Sequence, residues 1–139
     1  GGSLVCWAGA REGRGEIVAV DSWVNGVNAI PNVEAGFRKN CEHFGIQARI
    51  ITSNTWDARK LVGDRIVFCF VDADHMEGVA MDIHVYAPRI VPGGIIAFHD
   101  YYISKPIKVR SSVDEWARRA RWPSAGKVGS IVAFRRPSA

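Results

Sequence analysis

The runs RIVFCFVDADH, residues 65–75, and GGIIAFHDYY, residues 93–102, decide how this chain folds. In each, a stretch of β-branched and aromatic residues without polar alternation ends abruptly in acid and imidazole. Such runs predict strands buried on both faces, as in a parallel sheet. Two further runs of the same kind occupy residues 16–20 and 48–52, so the expected strands are 16–20, 48–52, 66–71 and 95–98, with a last strand over 128–134.

Helical spacing fills the intervals. Val33, Phe37, Cys41 and Phe44 lie on one face, closed by Gly45 as a C-terminal cap, and Val79 and Ile83 mark a second helix. Ser112 and Glu115 have capping-box spacing ahead of a helix that turns Val113, Trp116 and Ala120 to one side. Strand and helix alternate throughout, which predicts an α/β, Rossmann-like open sheet, mostly parallel, with helices on both faces. The chain opens differently: Gly1, Gly2 and Ser3 lead into a helical run through Leu4, Val5, Trp7 and Ala8 with no strand before it. The glycines read as the tail of a phosphate- or carboxylate-cradling loop, the alternative being an expression scar.

Composition sets the class. The 139 residues are 47% apolar and 23% charged, as in one ordinary domain with a core of its own, and the short stretch 122–127 does not separate domains. No run approaches the roughly 20 apolar residues that span a bilayer, and no leader pattern is visible, so a cytoplasmic location is expected. Cys6, Cys41 and Cys69 are scattered without CxxC spacing, which predicts buried reduced thiols. The formal charge of +4 stems largely from Arg118, Arg119, Arg121, Arg135 and Arg136, read as a solvated face rather than a nucleic-acid surface because no recognition motif accompanies them.

In an open α/β sheet, ligands lie beyond the carboxyl ends of the strands. Three runs end in acid: at Asp21, at Asp72 with Asp74 and His75 behind it, and at His99 with Asp100. A carboxylate at Asp21 suits both hydroxyls of a ribose; a turn aspartate reads equally well. Trp23 fits an adenine face or ordinary packing. Asp72, His99 and Asp100 come from neighbouring strands and offer hard oxygen and imidazole donors to a divalent cation, the alternative being a hydrogen-bonded polar cluster that caps the sheet. Neighbouring carboxylates repel one another unless a cation or a proton is shared. His75, aimed at the same mouth, is a candidate base for a substrate hydroxyl. His43 and His84 fall among surface residues of helices, as does Asp82, which lies close enough to the mouth to stay a reserve candidate.

The segments FVDADH and RIVPGGIIAFHDY resemble the active-site region of class I S-adenosylmethionine-dependent methyltransferases, in particular small-molecule O-methyltransferases of a bacterial group with DADH and FHDY motifs. GGSLVCWAGAREGRGEIVAVDSW resembles the family's passage from glycine loop to second strand, and VGSIVAFRR its closing, antiparallel strand. The resemblance implies that Gly2 and Ser3 meet the amino acid end of S-adenosylmethionine, that Asp21, with Ser22 and Trp23, meets the ribose side, that Ser53 and Asn54 border the adenine, and that Asp72 opens the fourth-strand motif. In the metal-dependent branch, which includes catechol and caffeoyl-coenzyme A methyltransferases, that aspartate binds magnesium with an Asp-Asn pair; here His99 and Asp100 stand at the pair, and His75 stands where that branch keeps a lysine. The implied catalytic residues are His75 and Asp72, the implied metal ligands Asp72, His99 and Asp100, and the acceptor a small hydroxylated molecule. The family's central first strand has no counterpart in this sequence. A homodimer, another segment or unrecorded residues are then expected to supply the lost ladder partner, the alternative being a compromised fragment with weak cofactor affinity. Two rival readings are a non-catalytic methyltransferase-fold module acting through self-association or a protein partner, and a metal-dependent hydroxylase-like relative.

Overall fold

The computed structural model describes residues 2–10, 14–24, 32–72, 78–102 and 108–138. Its residues gather into two compact units, 1–58 and 59–139.

In the first unit, helix α1 (Gly2–Ala10) precedes strand β1 (Ile17–Asp21), helix α2 (Val33–His43), strand β2 (Ala48–Thr52) and a single turn of helix, α3 (Thr55–Ala58). The two strands pair in parallel, Ile17 opposite Ala48 and Asp21 opposite Thr52. The α2 spacing buries Cys41, and the helix ends as its glycine predicts. Gly45 takes φ 62°, and the N–H groups of Gly45 and Ile46 donate to the carbonyls of Glu42 and Cys41 at 3.1 and 2.8 Å. That pair of bonds satisfies carbonyls the helix would otherwise leave open.

The second unit holds β3 (Ile66–Val71), α4 (Gly78–Tyr86), a 3-10 turn (Ala87–Arg89), β4 (Ile90–Phe98), α5 (Val109–Ala120), β5 (Ser124–Val128) and β6 (Ile131–Arg135). The sheet order is β3-β4-β6-β5, with β3 and β4 parallel and the other pairs antiparallel. Its core is built on Phe98, Ile90, Ile96, Val113 and Val132, all fully buried, with Val79 and Ile83 of α4 packed among them. Burying each such side chain contributes roughly 1.5–3 kcal/mol. Trp116 lies edge-on to Phe98, Trp122 and Phe134 at ring separations of 5.8, 5.1 and 5.6 Å.

Several expectations change. The last strand is a hairpin: Gly129, at φ 56°, and Ser130 turn the chain between β5 and β6, so four of the six residues that read as a connection, 124–127, are strand. With that hairpin the described sheets contain two parallel and two antiparallel pairings, so the sheet is less parallel than its sequence suggests. Helix α5 starts at Val109 rather than at a cap on Ser112, because Val109 is buried one turn before Val113 and the core takes the extra turn. Strand β3 is an edge of its sheet, and Val67 there is 70% exposed, not buried on both faces. Arg135 and Arg136 do more than solvate a face. They donate to the carbonyls of Gly93 at 2.8 Å and of Pro88 at 2.9 Å, and Arg136 also to that of Ile90, tying β6 to the start of β4. No described helix is long and apolar enough to cross a membrane.

Strand β4 begins five residues before the run that announces it, and two glycines explain the extension. Gly93 has φ 80°, and the register against β3 shifts between Ile66 and Phe68. At Gly94 a Cβ would lie 2.7 Å from the Ile90 side chain and 2.9 Å from the carbonyl oxygens of Val67 and Val91. Backbone oxygens cannot step aside without disturbing the ladder. Gly94→Ala is therefore expected to destabilise the fold by about 3 kcal/mol, the upper part of the range for overpacking, measurable as a lower urea midpoint with an unchanged slope.

Cysteine burial is uneven. Cys41 is buried, Cys69 packs against the core of the second unit, and Cys6 is exposed, against the expectation of three buried thiols. Burial, reinforced by the nearby Asp82 carboxylate, pushes the Cys69 thiol up to about 12. Asp82 itself is 3% exposed, so it faces inward rather than lying on a solvated helix face. Because thiolate is the reactive form, a disulfide reagent at pH 8 is expected to titrate one thiol per native chain, Cys6, and all three only in denaturant.

Candidate functional site

The parallel pairing of β3 with β4 sets Val71 opposite Phe98, so the residues that follow each strand emerge side by side. The His99 N–H donates to the Val71 carbonyl at 3.0 Å, carrying the ladder one residue past the strand. Asp100 then takes φ 56°, a left-handed conformation that costs a non-glycine residue about 1–2 kcal/mol. The result is a tight cluster. His99 Nδ1 lies 3.3 Å from Asp72 Oδ1 and 2.9 Å from Asp100 Oδ1. On the other side of the ring, Nε2 meets Ser130 Oγ at 3.2 Å, and Phe70 stands edge-on at 6.2 Å.

One donor from each of Asp72, His99 and Asp100 falls within 4.8 Å of the others. His99 Nδ1 is buried, yet neither carboxylate is aligned with it as a hydrogen-bond acceptor. The three donor atoms converge at ion-pair distances, and carboxylate with imidazole is a donor set that a divalent cation accepts. The residues therefore fit the metal that the family resemblance implies.

In the first unit the strand ends also carry polar groups. Asp21 closes β1, and the Ser53 N–H, just past β2, donates to its carbonyl at 3.0 Å. Asp21 Oδ1 accepts from the Trp23 N–H at 2.7 Å, the turn arrangement anticipated as the plainer role, with Trp23 at φ 56°. Its ring packs on Phe37 at 5.1 Å, so much of this tryptophan serves packing, although its Nε1 is buried without a partner among the described residues. Asn54 caps α3: its Oδ1 accepts from the Asp57 N–H at 2.9 Å, and its Nδ2 donates to Asp57 Oδ2 at 2.8 Å. Ser22 is exposed. Gly2 and Ser3 form the first turn of α1. His75 and Asp74 lie outside the described residues.

Asp72, His99 and Asp100 are thus brought together as their positions predict, and Asp21 and Ser53 adjoin in the other unit. Ser130 was not anticipated. It becomes legible only once 128–134 is recognised as a hairpin, whose Gly129-Ser130 turn returns to the carboxyl end of β4 and whose Ser130 carbonyl accepts from the Tyr101 N–H at 2.9 Å.

Parallel strands whose carboxyl ends bear carboxylate, imidazole and hydroxyl groups define a Rossmann-like ligand-binding α/β protein. A family model described as a methyltransferase domain matches residues 1–101. The chain belongs to that family, the class I S-adenosylmethionine-dependent methyltransferases.

Solved structures share the fold. The O-methyltransferase NovP superposes with a TM-score of 0.78 at 17% identity, over 99% of this chain and 68% of that one. Cofactor-bound Rv0187 from MTB gives 0.71 at 13% identity, over 99% and 68%. The O-methyltransferase from Bacillus cereus, in complex with SAH, gives 0.62 at 14% identity, over 88% and 63%. The chain spans about two thirds of the length of these structures. No curated protein matches it by sequence.

Proposed function

We propose that this protein transfers a methyl group from S-adenosylmethionine to an oxygen of a small hydroxylated molecule, assisted by a divalent cation held by Asp72, His99 and Asp100. The observation that carries the reading is the convergence of those three donors at the carboxyl ends of β3 and β4. When bound, the sulfonium cofactor supplies an electrophilic methyl group, and the cation stabilises an alkoxide.

The chain's own groups do the rest. Asp21 offers Oδ2 to a ribose while Oδ1 stays with the Trp23 N–H. Ser22 and Trp23 flank it, Ser53 and Asn54 border the adenine, and Gly2 and Ser3 take the amino acid end. Ser130 and Phe70 hold the His99 ring in place. The cofactor would supply the methyl group to the hydroxyl oxygen as its carbon–sulfur bond breaks, and His75 or Asp72 would take the hydroxyl proton. Positioning the two reactants accounts for most of the expected acceleration. We further assign the protein one methyltransferase domain spanning 1–139.

Calorimetric titration with S-adenosylhomocysteine is the direct test. Saturable heat at one site per chain is expected; its absence overturns the reading.

A further inference from the structure

Beside the Asp72, His99 and Asp100 cluster stands a second group of side chains that the methyl-transfer reading leaves unused. Tyr101 and Tyr102 follow Asp100 directly, and their rings meet at right angles with centroids 4.6 Å apart. Two cations from different elements address this same pair. The Arg110 guanidinium, from the first turn of α5, lies 5.8 Å from each ring centroid. The Lys127 ammonium, from β5, lies 5.9 Å from the Tyr101 ring and 5.6 Å from the Tyr102 ring.

The charges around them do not cancel. Asp114 is shared: Oδ1 accepts the Tyr101 hydroxyl, and Oδ2 lies 3.7 Å from Arg110 Nε. No carboxylate pairs with Lys127 among the described residues, so the group keeps a surplus positive charge. The first turn of α5 contains no acidic residue. Its dipole adds to the same sign. Tyr101 is buried and fixed by its bonds to Asp114 and Ser130, whereas Tyr102 is 45% exposed. The Ser130 that touches His99 belongs to the hairpin that carries Lys127, so one turn links both clusters.

We propose that Arg110, Lys127 and the Tyr102 ring form an acceptor subsite for a phosphate group, making the methyl acceptor a phosphate-bearing hydroxylated molecule. This rests on the methyltransferase reading and deepens it. A guanidinium and an ammonium approaching from two elements can contact different oxygens of one phosphate. The adjoining Asp72, His99 and Asp100 then receive the hydroxyl that lies next to the phosphate-bearing part.

The probe is inorganic pyrophosphate, titrated calorimetrically into the full chain at low salt, with sodium chloride at matched ionic strength as control. One site per chain is expected, weakening as salt rises. The double substitution Arg110→Gln with Lys127→Gln is expected to raise the dissociation constant at least tenfold, and Lys127→Gln alone, on an exposed strand, about threefold to fivefold. Equal pyrophosphate binding by wild type and Lys127→Gln, or none by wild type, overturns the subsite. S-adenosylhomocysteine titrated into the same samples separates the two ideas. Retained cofactor heat without pyrophosphate binding removes only the subsite, and loss of cofactor heat in wild type removes the methyltransferase reading itself.

Discussion

Asp72→Asn is expected to lower methyl transfer on the order of a hundredfold, because it removes a negative charge from the donor set while keeping the side chain's shape, and cation stabilisation of an alkoxide is worth several kcal/mol. Asp72 is exposed, and its position follows the end of β3, so the fold should be indifferent to the change. Manganese binding, read from the electron paramagnetic signal of the free ion, should weaken in parallel. Asp100→Asn should behave likewise for binding. Unaltered manganese titration and unaltered turnover in Asp72→Asn would return the cluster to a polar cap on the sheet. Metal analysis of purified protein gives a further discrimination: stoichiometric iron would favour the hydroxylase-like rival.

The second large effect is expected at Asp21. Asp21→Ala should eliminate measurable heat with S-adenosylhomocysteine, since a carboxylate bonded to ribose hydroxyls contributes about 1.5–3 kcal/mol per charged hydrogen bond. The same substitution also deletes the acceptor for the Trp23 N–H, and Trp23 sits in a left-handed conformation that this bond helps hold. Asp21→Asn separates the roles. It keeps a carbonyl oxygen for the turn but removes the charge, so a roughly tenfold weaker cofactor affinity with unchanged thermal stability is the expected result. Wild-type affinity in Asp21→Asn would mean that Asp21 serves the turn alone.

Both predictions concern groups that local sequence marks well. An apolar run ending in acid tells where a strand stops, and in parallel sheets the stop is where ligands bind, so Asp21, Asp72, His99 and Asp100 stand out without coordinates. Less visible were residues whose relevance depends on chain reversal. Ser130 and Lys127 sit in an unremarkable glycine-containing stretch, and only the β5–β6 turn carries them to the end of β4. Gly94 is similar in part: besides Ile90 and Val91 close by in the chain, a Cβ there would meet the Val67 carbonyl, a partner 27 positions away that no local pattern announces. Asp82 misled in the opposite sense. Its helix position looks solvated, yet α4 turns it inward toward Cys69, because apolar neighbours Val79, Ile83 and Tyr86 dictate which faces are covered.

By itself the sequence determined the alternation of strand and helix, the strands at 48–52 and 66–71, the Gly45 cap and the acidic strand ends, because each rests on residue types within a few positions of one another. Tertiary structure alone decided that β4 reaches back to Ile90, that the last segment doubles into a hairpin, and that His99 Nδ1 lies at ion-pair distance from two carboxylates at once. Those outcomes depend on register and on which backbone groups find partners across the sheet. Pairing energy is set between distant segments, so it leaves no mark in the order of neighbouring residues.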